Sequence, residues 1–124
     1  MKEKIEKFEY NSNFKFPDDY VEYILNTSNL KFSRTCFKTQ NGVEHILRSL
    51  LSYDENDKYY YINKFQITDS EFAHKLVPVG YLEFGDLLCY EKDTNKLVVY
   101  YHELDDYEDV SETFNDFLNS LKKN

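Results

Sequence analysis

Residues 87–101 have the sequence LLCYEKDTNKLVVYY, which carries the clearest structural signal in the chain. Two apolar runs, at 87–90 and 97–101, flank the polar segment 91–96. Short runs rich in β-branched and aromatic residues, bounded by polar turn-formers, are typical of buried strands. The stretch therefore predicts a β-hairpin whose turn lies at residues 91–96.

The residues just before this hairpin predict the way the chain enters it. Residues 76–80, LVPVG, predict a short extended segment closed by a turn at Gly80. Gly85 and Asp86 then lead into the first strand. Glycine permits turns that other residues resist. Because aspartate readily accepts hydrogen bonds from nearby backbone N–H groups, we expect Asp86 to pin the loop to the hairpin.

The residues after the hairpin predict an acidic loop and a closing helix. Residues 105–108 predict the loop, and Asp109 with Glu112 three residues later resembles the capping box of a helix start. Apolar residues then recur at helical spacing and form one stripe. The stripe consists of Val110, Phe114, Phe117, Leu118 and Leu121. We expect this stripe, Phe114 and Phe117 above all, to pack in the core, with Lys122 and Lys123 at the negative end of the helix dipole.

The N-terminal part begins with helical signals. Pro17 suits the first position of a helix, because its missing N–H costs nothing there. The residues that follow, at 18–25, supply two acidic residues for the first turn and an apolar face that includes Tyr20. In the preceding lead-in, residues 1–15, Ile5 and Phe8 have helical spacing, so a short helix can form there.

The middle of the chain predicts a strand and leaves two segments open. Residues 30–37 alternate between apolar and polar, the pattern of a half-buried strand, and residues 40–42 are typical of a hairpin turn. Residues 43–53 and 59–67 fit either helix or strand. The order of helix, sheet and helix predicts one α+β domain over residues 1–124. Its N-terminal and C-terminal helices would pack against a mainly antiparallel sheet.

Composition and charge restrict the function. The chain has 124 residues, a formal charge of −8, 12 Tyr and 10 Phe, so it can bury a substantial core. All of the charge imbalance lies after residue 64, and no Lys or Arg occurs between Lys96 and Lys122. An acidic domain repels phosphate backbones, which argues against direct nucleic-acid binding. A charge run of this kind is either a solvated surface or a surface that captures a basic partner.

The cysteines and histidines give no pattern of a catalytic or metal site. Cys36 and Cys89 are far apart, lie in apolar surroundings and are expected to be buried, inert thiols. The chain has neither CxxC nor HxxxH spacing and no glycine-rich phosphate loop. We therefore expect no catalytic residue, no cofactor and no metal, and a protein that is not an enzyme.

The N-terminal residues and the length of the apolar runs predict where the protein is located in the cell. Residues 1–10 alternate in charge and have no apolar core of a secretory signal. No apolar run approaches the roughly 20 residues that span a bilayer. We therefore expect a cytoplasmic protein that does not bind membranes.

Several motifs, in order, resemble the SUKH superfamily, which includes yeast cell-wall-assembly regulators and many bacterial immunity proteins. The first is FPDDY at 16–20, with Pro17 and Tyr20. The second is VPVG at 77–80, with Pro78 and Gly80, followed by FGDLLCY at 84–90, with Gly85 and Asp86. The third is VVYYHE at 98–103, and the last is the helix motif TFNDFLNSL at 113–121. The resemblance covers residues 16–121, and its signature residues are expected to be structural.

The resemblance implies a bacterial immunity protein. Such a protein would bind a cognate toxin, often a nuclease, and block it stoichiometrically. The alternative is a regulatory or scaffold module that has no part in toxin immunity. Nucleases need basic surfaces to bind phosphates, and an acidic protein can occupy such a surface. The predicted contact residues are Glu103, Asp105, Asp106, Tyr107, Glu108, Asp109 and Glu112, with Tyr107 as the aromatic anchor.

Overall fold

The computed structural model describes residues 1–123, which form three helices and a seven-stranded antiparallel sheet. The helices are α1 (Lys2–Ser12), α2 (Asp18–Leu25) and α3 (Phe114–Ser120). The strands are β1 (Lys31–Lys38), β2 (Glu44–Leu50), β3 (Leu76–Leu82), β4 (Leu87–Glu91), β5 (Leu97–Tyr101), β6 (Asp106–Ser111) and β7 (Lys122–Lys123). The predicted α+β class is confirmed.

The sheet is a meander whose last short strand returns to the opposite side. The strand order is β6-β5-β4-β3-β2-β1-β7. In the predicted hairpin, Leu87 pairs with Tyr100 and Tyr90 pairs with Leu97. Helix α3 connects β6 at one end of this order to β7 at the other. The sheet is curled, and this brings the β1–β2 turn to β6. The backbone N–H of Gln40, in that turn, donates to the Asp109 carbonyl of β6 at 2.9 Å.

The core lies on both faces of the sheet. On the helix side, α1, α2 and α3 cover β-strand residues such as Leu88 and Val99. On the other face, Leu87, Cys89 and Val98 are covered by the segment between β2 and β3. This two-sided burial follows from continuous apolar strands rather than from alternating ones. Both cysteines are free and buried, as predicted.

A cluster of aromatic rings joins the first two helices to the sheet. Phe16, between α1 and α2, is 1% exposed and packs against the ring of Tyr20 at a centroid distance of 4.8 Å. The Tyr20 ring meets Phe114 of α3 edge-on at 5.2 Å, and Phe114 lies beside Phe117. The predicted burial of Phe114 and Phe117 is confirmed, because both are 0% exposed. Of the 22 Phe and Tyr side chains, ten are buried and nine more are partly buried against the two hydrophobic clusters.

The prediction for the start of the closing helix is wrong. Residues 106–111 form strand β6, whereas the sequence predicts a loop over 105–108 and a helix beginning at Asp109. The observed cap is Thr113, whose Oγ1 accepts from the Asp116 backbone N–H at 3.1 Å. Glu112 lies between strand and helix. Lys122 and Lys123 pair with β1 as β7 instead of ending the helix.

An irregularity in the sheet explains why β6 is difficult to predict. The β5–β6 register shifts between Leu97 and Val98, so Leu97 pairs with Ser111 and Val98 with Asp109. This inserts an extra residue into β6 and breaks the period of two. Tyr107 and Val110, three residues apart, face opposite sides of the sheet, in separate hydrophobic clusters. Val110 then falls four residues before Phe114 and imitates helical spacing.

Three other segments refine the prediction. Helix α1 extends over Lys2–Ser12, and residues 44–50 of the first ambiguous segment are strand β2. The second ambiguous segment is neither strand nor α-helix, and forms turns with a single 3₁₀ turn at Ile62–Phe65. The turn expected at Gly80 is wrong, because β3 continues to Leu82. Gly80 instead permits close packing, since a Cβ there would lie 3.1 Å from that of Leu88.

Two buried tyrosines give the first prediction. The Tyr90 hydroxyl is buried without a hydrogen-bond partner within residues 1–123, whereas that of Tyr20 bonds the Tyr53 hydroxyl at 2.8 Å. We expect Tyr90→Phe to leave the free energy of unfolding unchanged or to raise it. Tyr20→Phe leaves the buried Tyr53 hydroxyl without this partner and should lower the free energy of unfolding by about 1–3 kcal/mol. Urea unfolding of both variants tests this, and equal losses would contradict it.

Candidate partner-binding surface

The predicted contact residues lie along one edge strand and the turn before it. Residues 102–105 form the turn between β5 and β6, and β6 lies at one edge of the strand order. The turn carries Glu103 and Asp105, while Asp106 and Asp109 are exposed on β6. The structure therefore brings the acidic residues to one end and one edge of the sheet, although on a strand rather than on a loop and helix.

Asp86 anchors the base of this turn. Its Oδ1 accepts hydrogen bonds from the backbone N–H of His102 at 3.2 Å and from His102 Nδ1 at 2.8 Å. The imidazole packs against Gly85, whose φ is +89°, and a Cβ there would lie 3.3 Å from the ring. The predicted role of Asp86 as a backbone acceptor that pins the loop to the hairpin is confirmed.

Glu108 belongs to a hydrogen-bonded network that crosses the curled sheet. Its carboxylate accepts from the Tyr101 hydroxyl at 2.8 Å and from Asn41 Nδ2 at 2.9 Å. Because Tyr101 donates its proton to Glu108, the hydroxyl accepts from Nε2 of His45, 2.9 Å away. Partial burial opposes ionisation, but hydrogen bonds from Thr39, Asn41 and Tyr101 outweigh it and lower the pKa of Glu108. Glu108 therefore holds its negative charge while tying β6 to the β1–β2 turn.

Acid titration of Glu108 gives a second prediction. A lowered pKa in the folded state stabilises the protein above the ordinary glutamate pKa of about 4.3, and this stabilisation is lost as pH falls through the folded value. We expect Glu108→Gln to show a smaller loss of unfolding free energy between pH 7 and pH 3.5 than wild type. Urea unfolding at both pH values measures it. Parallel acid losses in the two proteins would contradict the network.

Asp105 is held by two hydroxyls. Its Oδ1 accepts from the Tyr100 hydroxyl at 2.8 Å and from Ser70 Oγ at 2.5 Å. The hydrogen bond from Ser70, followed by that from Tyr100, lowers the pKa of Asp105. This carboxylate consequently stays ionised while it fixes the turn to the segment that covers the second hydrophobic cluster.

The C-terminal end of the predicted surface is partly neutralised. Lys96 Nζ lies 3.8 Å from an Asp109 carboxylate oxygen and 3.5 Å from one of Glu112. In contrast, no Lys or Arg of residues 1–123 forms an ion pair with Glu103 or Asp106. Glu103 is 86% exposed, and one of its carboxylate oxygens lies 3.8 Å from Nε2 of His102. The uncompensated negative charge is therefore centred on the 102–106 end.

Tyr107 packs inward. Its ring meets that of Phe72 edge-on at a centroid distance of 5.1 Å, and its hydroxyl donates to the Glu91 carboxylate. This hydrogen bond, together with burial, raises the pKa of Tyr107 to about 12. The side chain is half-buried in the second hydrophobic cluster. Its part in partner binding stays a prediction, but much of the ring is already committed to the fold.

Two exposed apolar residues, one on the acidic turn and one on the neighbouring β3–β4 turn, lie outside the predicted contact residues. Phe84 is 84% exposed and Leu104 is 74% exposed. Together with His102 and Glu103 they line a shallow depression at the end of the sheet. Leu104 has a sequence signal, because it interrupts an otherwise acidic run. Phe84 has none, since its exposure depends on the backbone of the β3–β4 turn.

Neither a metal-ligand cluster nor a membrane-spanning helix occurs in the part of the chain that the structure describes. Within residues 1–123, no three His, Cys, Asp or Glu side chains are grouped so that they could hold a metal ion. None of the helices in that range has the length and apolar character needed to cross a membrane.

Comparison with known proteins identifies the family. The family model described as "SUKH_6: SMI1-KNR4 cell-wall" matches residues 2–118. The chain belongs to this family. The match confirms the resemblance found in the sequence motifs and extends it through α1. The SUKH family is not a known enzyme family, and membership supports a protein of the general immunity or SMI1-KNR4 type. Comparisons with curated proteins and with solved structures gave no match for this SUKH domain.

Proposed function

We propose that this SUKH domain is a bacterial immunity protein that acts in the cytoplasm and neutralises a cognate toxin by binding it stoichiometrically. The observation that carries the proposal is the uncompensated acidic end of the sheet. Glu103 and Asp106 are exposed without a paired Lys or Arg in the described chain. Asp105 and Glu108 nearby have lowered pKa values and remain charged.

Electrostatic complementarity supports a nuclease as the toxin. A nuclease must present Lys and Arg to a phosphate backbone, and a carboxylate-rich surface fits the same positions. Two carboxylates of this surface are held in place by side-chain hydrogen bonds: Asp105 accepts from Ser70 and Tyr100, and Glu108 accepts from Tyr101 and Asn41. A preorganised surface loses less conformational entropy on binding than a mobile loop. The fold thus offers a rigid acidic template rather than a flexible acidic tail.

Growth rescue tests this function. On this proposal, the gene beside this one encodes the toxin domain, which would be expressed under an inducible promoter, with and without this protein. We expect the protein to restore growth against that toxin and not against a nuclease toxin from an unrelated locus. Killing by the neighbouring toxin in the presence of the folded protein would contradict the proposal.

The family description favours one second candidate. Because it names a cell-wall group, a regulatory module that binds cell-wall or signalling proteins is the alternative function. Such a module would leave toxin killing unchanged, and it would be required for normal growth of cells that meet no toxin. A deletion strain grown alone distinguishes the two, since loss of an immunity protein is harmful only where the toxin is present.

A further inference from the structure

The β3–β4 turn holds a phenylalanine in a conformation that phenylalanine disfavours. Phe84 has φ 69° and ψ 15°, and Gly85 after it has φ 89°. Two successive residues with positive φ are typical of the tight turns that join antiparallel strands. Glycine and asparagine adopt this region readily, whereas a bulky side chain is strained in it. A relaxed turn would therefore have Asn or Gly in place of Phe84.

The rest of the chain follows the usual rule. Among residues 1–123, most of the other non-glycine positions with positive φ carry Asn or Asp, which tolerate it. They are Asn13, Asp69, Asn95 and Asp105, with Arg34 in β1 as the other exception. The chain thus has suitable residues at its comparable turns, including Asn95 in the adjacent β4–β5 turn. Phe84 is retained at a position where local backbone energetics disfavour it.

Burial does not explain Phe84 either. Its side chain is 84% exposed, so packing within the monomer stabilises it too little to offset the backbone strain. Leu104, on the neighbouring β5–β6 turn, is 74% exposed and lines the same depression. Large exposed apolar side chains that lie together mark interaction sites. Strain at a functional position is a known feature of binding surfaces, since the surrounding fold maintains it.

The charges around this apolar pair define the chemistry of its partner. Glu103 adjoins Leu104 in the chain, Asp105 follows it, and Asp86 and His102 line the same depression. The one nearby arginine that the described ion pairs show, Arg48, is already bound to Glu83 at 3.0 Å. An apolar pair with carboxylates beside it fits a protein surface whose apolar pocket is bordered by Lys and Arg.

We propose that Phe84 and Leu104 are the apolar anchors that the toxin buries, beside the acidic residues Glu103, Asp105 and Asp106 of the β5–β6 turn and the start of β6. This assignment rests on the proposed function and names the contact within it. Phe84 supplies buried area and therefore slows dissociation, while the carboxylates accelerate association. The anchor role that the sequence gives to Tyr107 passes to Phe84, which lies on the surface without further rearrangement.

Phe84→Asn tests the proposal with two readouts that change in opposite directions. The probe is the toxin domain encoded by the neighbouring gene, carrying an inactivating substitution. We expect the variant to bind it about 30-fold more weakly, the loss of an interface anchor, mainly through faster dissociation. The thermal midpoint should rise by about 3 °C, because asparagine relieves the strained turn. Leu104→Ser should also dissociate faster, without the rise in midpoint.

The matched control is Tyr10→Asn, which removes an aromatic side chain that is 86% exposed on α1. It should bind the toxin domain like wild type. Wild-type binding by both Phe84→Asn and Leu104→Ser would overturn the proposed anchors and leave toxin immunity intact. A lower midpoint in Phe84→Asn would show that Phe84 serves the fold and would also overturn the proposal. Failure of the wild-type protein to bind would instead remove the proposed function itself.

Discussion

Replacement of Phe16 by alanine is expected to lower the free energy of unfolding by about 3–5 kcal/mol. Phe16 is 1% exposed and lies at the centre of the aromatic cluster. Its ring packs against those of Phe8, Phe14, Tyr20, Tyr53 and Tyr90 at centroid distances of 4.8–6.4 Å. Rigid rings from two helices and the sheet cannot collapse into the space, so a cavity would remain. Urea unfolding at pH 7 measures the loss.

The control for this variant is Tyr10→Ala. Tyr10 is an aromatic residue on α1 whose side chain is 86% exposed, so we expect a change within about 0.5 kcal/mol. A similar, small loss in both variants would show that the aromatic cluster does not hold the helices to the sheet. If Phe16→Ala does not fold, Phe16→Leu measures the same packing with a smaller loss of stability.

The double charge reversal Glu103→Lys and Asp106→Lys should slow association with the toxin domain at least about tenfold at low salt. These two side chains are exposed and carry no Lys or Arg partner within residues 1–123, so their reversal changes the surface field without breaking an ion pair that stabilises the fold. The difference from wild type should shrink as salt is added, because exposed charges are screened. Stopped-flow mixing at several ionic strengths measures both effects.

A second double variant, Glu6→Lys with Glu55→Lys, separates local from overall charge. It reverses two exposed carboxylates on α1 and the 54–57 turn and changes the net charge by the same amount. We expect its association rate to stay much nearer to that of wild type. Equal slowing in the two double variants would mean that net charge alone steers the encounter, and the acidic end would not be the contact surface.

The predictable part of the fold is the part whose signals are local. The β4–β5 hairpin was predicted because two apolar runs flank a polar turn, and both strands are buried on both faces. The closing helix was misplaced because Asp109 and Glu112 imitate a capping box. Pairing with β5 prevails over that local preference, and the register shift opposite Leu97 conceals the strand periodicity of β6. The β7 strand has only two residues and depends on its contact with β1.

The acidic surface shows a similar division. Sequence position placed its carboxylates together, and they do lie on one turn and one strand. The hydrogen bonds and ion pairs of these carboxylates involve partners elsewhere in the chain: Asn41 for Glu108, Ser70 for Asp105, and Lys96 for Asp109. The contribution of Phe84 could not be predicted, because it arises from a positive φ and from exposure, which have no local sequence signal.

Titration of toxin activity with the purified protein tests the central claim most directly. The active toxin domain encoded by the neighbouring gene would be held at a fixed concentration well above the dissociation constant. Its activity would then be measured as this SUKH domain is added. Stoichiometric immunity predicts a linear fall that reaches zero at one equivalent. For Phe84→Asn the curve should be more rounded near one equivalent, with residual toxin activity that only an excess of the variant removes. Full toxin activity at a tenfold excess of folded wild-type protein would contradict the account.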